Sequence, residues 1–188
     1  MGTFSGMSET SERYRKVAAG FTQRAEGVPD NGWDKPSPCE GWVARDVVRH
    51  VVEVASGFVG RVGVELPQGP SVDEDPVAAW AVLSDGMQST LDDPAIATLE
   101  FDSPMGKTTL ERFIGMFGVG DVLVHTWDLA RATGQDDRLD PDEVHRLYET
   151  MKPNDAMMRQ GTAFGPKVEV PDEADEQTKL IAFTGRAV

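Results

Sequence analysis

Apolar residues along this chain recur mostly at intervals of three and four, the spacing of helices that bury one face. Tyr14, Val17, Ala18, Phe21 and Ala25 mark a first helix from about Thr10 to Glu26, closed by Gly27. A second starts near Val43, carries Asp46 in its first turn and reaches about Gly63. Asp75-Pro76 opens a third, with Asp as N-cap and Pro at the first helical position, and Asp92-Asp93-Pro94 stops it. Its inward side is Trp80, Leu83, Met87 and Leu91. The longest runs from about Leu110 to Thr133 before Gly134, with Leu110, Phe113, Phe117, Asp121, Val124, His125 and Leu129 on one core-facing stripe. Asp140-Pro141-Asp142-Glu143 caps a fifth helix with Val144, Leu147, Tyr148 and Met151 inward, which Pro153 ends or kinks. A tail from Gly161, punctuated by Pro and Gly, carries a last short helix near Asp175 to Thr184.

Between these helices the pattern changes twice. Asn31 to Trp42 holds two prolines and two tryptophans, which reads as an ordered, packed loop. Ala95 to Thr109 alternates around Ser103-Pro104-Met105-Gly106-Lys107, so a small hairpin and an irregular crossover are both open there. The expected fold is all-α: one domain over 1–188, a four-helix bundle with short additional helices and that β excursion near 95–109.

Two of the inward faces carry groups that do not belong in a plain core. Asp121 and His125 lie one turn apart on the long helix, and His50 sits among Val47, Val51, Val54 and Phe58 on the second. Burying such groups unsatisfied costs several kcal/mol, so they are paired or bound to something. Two imidazoles and a carboxylate from facing helices form a divalent-metal set with room for a further ligand, and the same set suits zinc or non-haem iron. A buried His–Asp hydrogen bond, with His50 satisfied separately, explains the same residues without a metal. His145 falls on a solvated helix face. Trp127 reads as packing. Asp128 reads as a structural partner of Arg131 or a nearby loop, able to orient His125 only if the helix bends. Cys39 lies near a helix start, where a thiol pKa can be depressed.

Composition narrows the partners. The 188 residues carry a formal charge of −14, and no Lys/Arg patch is visible, which argues against nucleic acid or an anionic membrane. No apolar run approaches a membrane span, Met1 to Ser11 lacks a signal pattern, and the single Cys permits no internal disulfide, so a cytoplasmic home is expected. Gly115 to Gly120 has neither the Lys-Ser/Thr nor the preceding strand of a phosphate loop, and its small residues read as places where helices approach closely. Nothing resembles a serine-nucleophile elbow.

Pro36-Ser37-Pro38-Cys39-Glu40-Gly41-Trp42, followed by Arg45-Asp46-Val47-Val48-Arg49-His50, resembles the opening motif of the mycothiol-dependent maleylpyruvate isomerase N-terminal domain. Asp121 to His125, continuing through Thr126-Trp127-Asp128-Leu129 to Gly134, resembles that family's second motif. Phe164-Gly165-Pro166 to Val170-Pro171 resembles the tail of its single-domain actinobacterial branch. The resemblance implies a DinB-like four-helix bundle holding a divalent metal, usually zinc or nickel, at His50, Asp121 and His125. It also implies a low-molecular-weight thiol such as mycothiol as co-substrate, an electrophilic small molecule as its acceptor, and transfer or isomerisation chemistry. The isomerase itself has an additional C-terminal domain at its active site, whereas this chain is expected to end before one. The second-motif carboxylate is Asp where a longer Glu is usual, and Val43 replaces a usual capping Thr, a loss of about 1 kcal/mol at the helix start. The expected activity is therefore a metal-dependent thiol S-transferase or isomerase with no protein base assigned. A non-enzymatic metal- or ligand-binding bundle and a non-haem iron enzyme are the alternatives, and a homodimer is left open.

Overall fold

Ser8 begins the first helix by accepting the Ser11 N–H on its hydroxyl, and α1 runs Glu9–Glu26 with Tyr14, Val17, Ala18, Phe21 and Ala25 buried as the periodicity predicts. These are features of a computed structural model, which describes residues 7–159 and 164–188. The stretch 1–6 and the expected tail start at Gly161 lie outside the described residues. The second helix, α2 (Ala44–Gly60), starts on Val43, which has no side-chain acceptor. Asp46 compensates in part by accepting the Val43 N–H at 2.9 Å, the reciprocal half of a capping box. The helix ends before the expected Gly63, which instead takes a positive φ of 74° in the following turn.

Asp75 caps α3 (Pro76–Asp92) by accepting from Ala78, and Trp80, Leu83, Met87 and Leu91 are all buried. A short helix, α4 (Pro94–Ala97), leads into a two-stranded antiparallel hairpin of β1 (Glu100–Ser103) and β2 (Gly106–Thr109). Glu100 pairs with Thr109 and Ser103 with Gly106, so the 95–109 segment forms a hairpin rather than an irregular crossover.

The long helical run begins as α5 (Leu110–Phe113), widens into one π-helical turn over Ile114–Gly118, and continues as α6 (Val119–Thr133). Gly134 closes it at φ 71°, a left-handed cap. The π turn corrects one expectation. Phe117, placed on the buried stripe, is 38% exposed, because a wider turn breaks the regular helical phase on which a continuous stripe depends. Asp140 caps α7 (Pro141–Met151), where Val144 and Met151 are buried while Leu147 and Tyr148 are half-buried. A 3₁₀ turn at Lys152–Asn154 contains Pro153 and passes into α8 (Asp155–Met158). The last helix, α9 (Glu176–Phe183), is anchored by fully buried Leu180 and Ile181.

The protein is mostly helical, with this one small sheet among the described residues. The long helix α1 packs against both α3 and α6, α2 packs against the same two, and α9 lies on α7. Trp80 sits at the centre, its indole N–H donating to Thr22 and its ring 4.5 Å from that of Phe21. Among the described residues, no helix is long and apolar enough to cross a membrane.

Candidate metal centre

The α2–α6 contact brings His50 beside Asp121 and His125. All three ligand atoms lie within 4.8 Å of one another. His50 Nε2 is 3.4 Å from Asp121 Oδ1, and His125 Nε2 is 3.6 Å from the same oxygen. Side-chain exposure rises from 9% at His125 through 23% at Asp121 to 31% at His50, so the cluster sits at the edge of the core and faces solvent.

The donor set fits a divalent ion. Metal–ligand bonds of about 2.0–2.1 Å in a tetrahedron put neighbouring ligand atoms about 3.4 Å apart, close to the two spacings found here. The π turn falls just before Val119, so Asp121 and His125 share a regular α-helical stretch and keep their one-turn relation.

What aims the His125 ring comes from its other side. Its Nδ1 is 2.8 Å from Asp128 Oδ2. Asp128 is wholly buried, and Arg186 grips it with a two-pronged bond, Nε donating to Oδ1 and Nη2 to Oδ2, both at 2.7 Å. Burial pushes the Asp128 carboxyl up, but hydrogen bonds from His125 and Arg186 outweigh it and hold the group down to about 2. Arg186 is driven up from its ordinary value, burial being outweighed by the bond to Asp128. A carboxylate can only accept, so Nδ1 is the donor to Asp128 and the Nε2 edge of the ring is turned toward Asp121 and His50.

This revises the reading of Asp128. It orients His125 without any unusual bend, because residues three apart on a regular helix are neighbours. Its cationic partner is Arg186 rather than Arg131. The latter pairs with Asp137 at 3.1 Å and lies over the Trp127 ring, which is buried as expected. Arg186 was not legible, since it is 58 residues away along the chain and no local spacing links the two.

Trp42 was also missed as a site residue. Its ring centroid lies 5.0 Å from that of His50 and 6.0 Å from that of His125, and the two imidazoles meet edge-on at 4.6 Å. The loop holding it is ordered, as its composition suggests. Ser37 N–H donates to Trp42 O, Trp42 N–H donates to Cys39 O, and Gly41 makes the turn between them at φ 77°.

Cys39 shows none of the depression that a nearby helix start can cause, and it behaves as the inert thiol that most single cysteines are. Its thiol is pushed up to about 12 by burial and by the Asp128 charge, against the pull of Arg186, so a neutral S–H faces Asp128 at 3.4 Å. Cys39, His125 and Asp128 also group closely enough to hold an ion, but Arg186 already supplies the positive charge there and Nδ1 is taken. His145 is exposed, as predicted, and pairs with Glu176. The small residues of the π turn and its end do admit neighbours closely: Gly115 faces Thr10, Gly118 the Phe58 ring and Gly120 Leu147.

Comparisons with known proteins agree with the motifs. The family model described as mycothiol maleylpyruvate isomerase N-terminal domain matches residues 14–130. Two uncharacterized proteins, from two strains of Mycobacterium tuberculosis, are each similar at 33% identity over 155 residues, covering 81% of this chain and 84% of the relative. No solved structure matches the chain significantly.

Proposed function

Because the chain belongs to the mycothiol maleylpyruvate isomerase N-terminal domain family, we propose that it is a metal-dependent enzyme using a low-molecular-weight thiol of the mycothiol type. The observation that carries this reading is the convergence of His50 Nε2, Asp121 Oδ1 and His125 Nε2 within 4.8 Å. We read the packing of α1, α2, α3 and the α5–α6 run as a DinB-like four-helix bundle, and the chain as a single domain.

In this scheme His50, Asp121 and His125 hold a divalent ion, zinc being the reading best suited to two imidazoles and a carboxylate with a position left open. An ion held there would supply Lewis acidity able to lower a thiol pKa toward neutral pH. The chain's own residues do the rest. Asp121 brings a negative charge that offsets the cation, and Asp128 keeps the His125 lone pair aimed at it. Trp42 covers the two rings from one side and limits water there. The thiol proton leaves to solvent, since no side chain is assigned as its base. The thiolate sulfur then bonds to an electrophilic carbon of the acceptor, either displacing a leaving group such as chloride or adding to an activated C=C bond. In the second case the π pair moves onto the conjugated carbonyl and returns to expel the thiolate once the former double bond has rotated.

The test gives zinc-loaded protein mycothiol and an electrophile, reading adduct formation with monochlorobimane by mass spectrometry and isomerisation of maleylpyruvate by proton NMR. Turnover well above the protein-free rate is expected in the parent and not in His50→Ala. A parent rate equal to the protein-free rate with both acceptors, in protein that retains zinc, contradicts the enzymatic reading and favours a metal-binding bundle.

A further inference from the structure

The chain's last segment reaches into the candidate centre from behind. We propose that Arg186 is a positioning residue for His125, acting through Asp128, so that the C-terminal segment sets how tightly the centre holds its ion. This rests on the metal reading above.

Asp128 is completely buried, and Arg186, 11% exposed, is its cationic partner. A lone carboxylate at that depth would be strongly disfavoured. The helix that bears it supplies no substitute, because Arg131 is engaged with Asp137 and Trp127. The guanidinium also does more than neutralise. Its Nε and Nη2 bind the two carboxylate oxygens at once, which fixes the carboxylate plane. That plane leaves Oδ2 facing His125 Nδ1 at 2.8 Å. The position of Nε2 on the far side of the ring therefore follows from the orientation of the Arg186 fork. Partners of this kind, bonded to the second nitrogen of a ligating imidazole, commonly change metal affinity by about 10- to 100-fold when lost.

The local fold at the tail is built to deliver this side chain. Helix α9 is pinned by Leu180 and Ile181, and Gly185 then reverses the chain at φ 91°. A Cβ at Gly185 would lie 3.0 Å from backbone atoms of Gly165 and Pro166, so both the turn and the space require glycine. The Arg186 N–H closes back on Ile181 O. Arg186 lies beyond the residues 14–130 that the family model matches.

The experiment compares the full-length parent with Arg186→Gln and Arg186→Lys. Zinc affinity is measured by competition with a chromophoric chelator, well below each variant's melting temperature so that lost stability alone does not move it. The His125 ring nitrogens are followed by 15N NMR in the zinc-free protein. Arg186→Gln is expected to weaken zinc about 10- to 100-fold and to shift His125 away from a single Nδ1–H form. Arg186→Lys keeps the charge without the fork, keeps the fold if the glutamine variant does not, and loses an intermediate factor. Parental affinity with parental His125 nitrogen shifts, in any variant that folds, overturns the inference while leaving the metal reading intact. A parent that takes up no zinc overturns both.

Discussion

Asp121 stands between two imidazoles, its Oδ1 within 3.4 Å of one ring nitrogen and 3.6 Å of the other. That position suits a ligand, and it also suits a plain hydrogen-bond acceptor; the two differ in how they treat a neutral isostere. As a ligand, Asp121 supplies charge that an amide cannot, so Asp121→Asn should weaken zinc by more than about tenfold, while Asp121→Glu keeps the charge and is tolerated by a reaching rotamer. Isothermal titration of the three proteins checks this, and near-parental affinity in Asp121→Asn would reduce the centre to its two histidines. At this scale the sequence was informative where the relation is local. His50, Asp121 and His125 announce themselves as polar groups on inward faces at helical spacing. Asp128 was within reach too, since an i, i+3 pair on one helix needs no special geometry. Arg186 and Trp42 were not, because each meets the site through tertiary packing.

The elements follow their start and stop signals closely. Asp75, Asp140 and Asp175 each accept a backbone N–H at the helix start they mark, and Ser8 does so just before the expected start at Thr10. Gly134 ends α6 where its φ of 71° demands glycine. The π turn at Ile114–Gly118 had no such signal: a change in helix pitch leaves the residue types unchanged, and only the exposure of Phe117 betrays it. Two glycines separate the roles this residue type plays here. Gly134→Ala forces a left-handed conformation on an L-residue and should lower stability by about 1–2 kcal/mol. Gly20 lies mid-helix in α1, and a methyl group there would meet nothing within 4 Å. Substitution by Ala should therefore gain roughly 0.8–1 kcal/mol. Urea unfolding of both variants against the parent reads the two signs, and a Gly134→Ala variant as stable as the parent would contradict the cap.

For the whole molecule, the formal charge of −14 sets up a field that repels polyanions, and we propose cations and small molecules as its partners. The interior of the site is more balanced than the surface: Asp128 is matched by Arg186, and Asp121 is the charge left facing the imidazoles. A cation there would also join α2 to α6 across the core edge, so its binding should be linked to folding, worth about 2.7 kcal/mol when free metal is 100 times its dissociation constant. All of this depends on a single ion held jointly by residues from those two helices. The most direct measurement is metal stoichiometry, by elemental analysis after zinc loading and desalting, of the untagged parent beside His50→Ala and His125→Ala, each first shown to be folded by circular dichroism. One zinc per chain in the parent and little in either variant is the predicted result; the same zinc content in all three would contradict it.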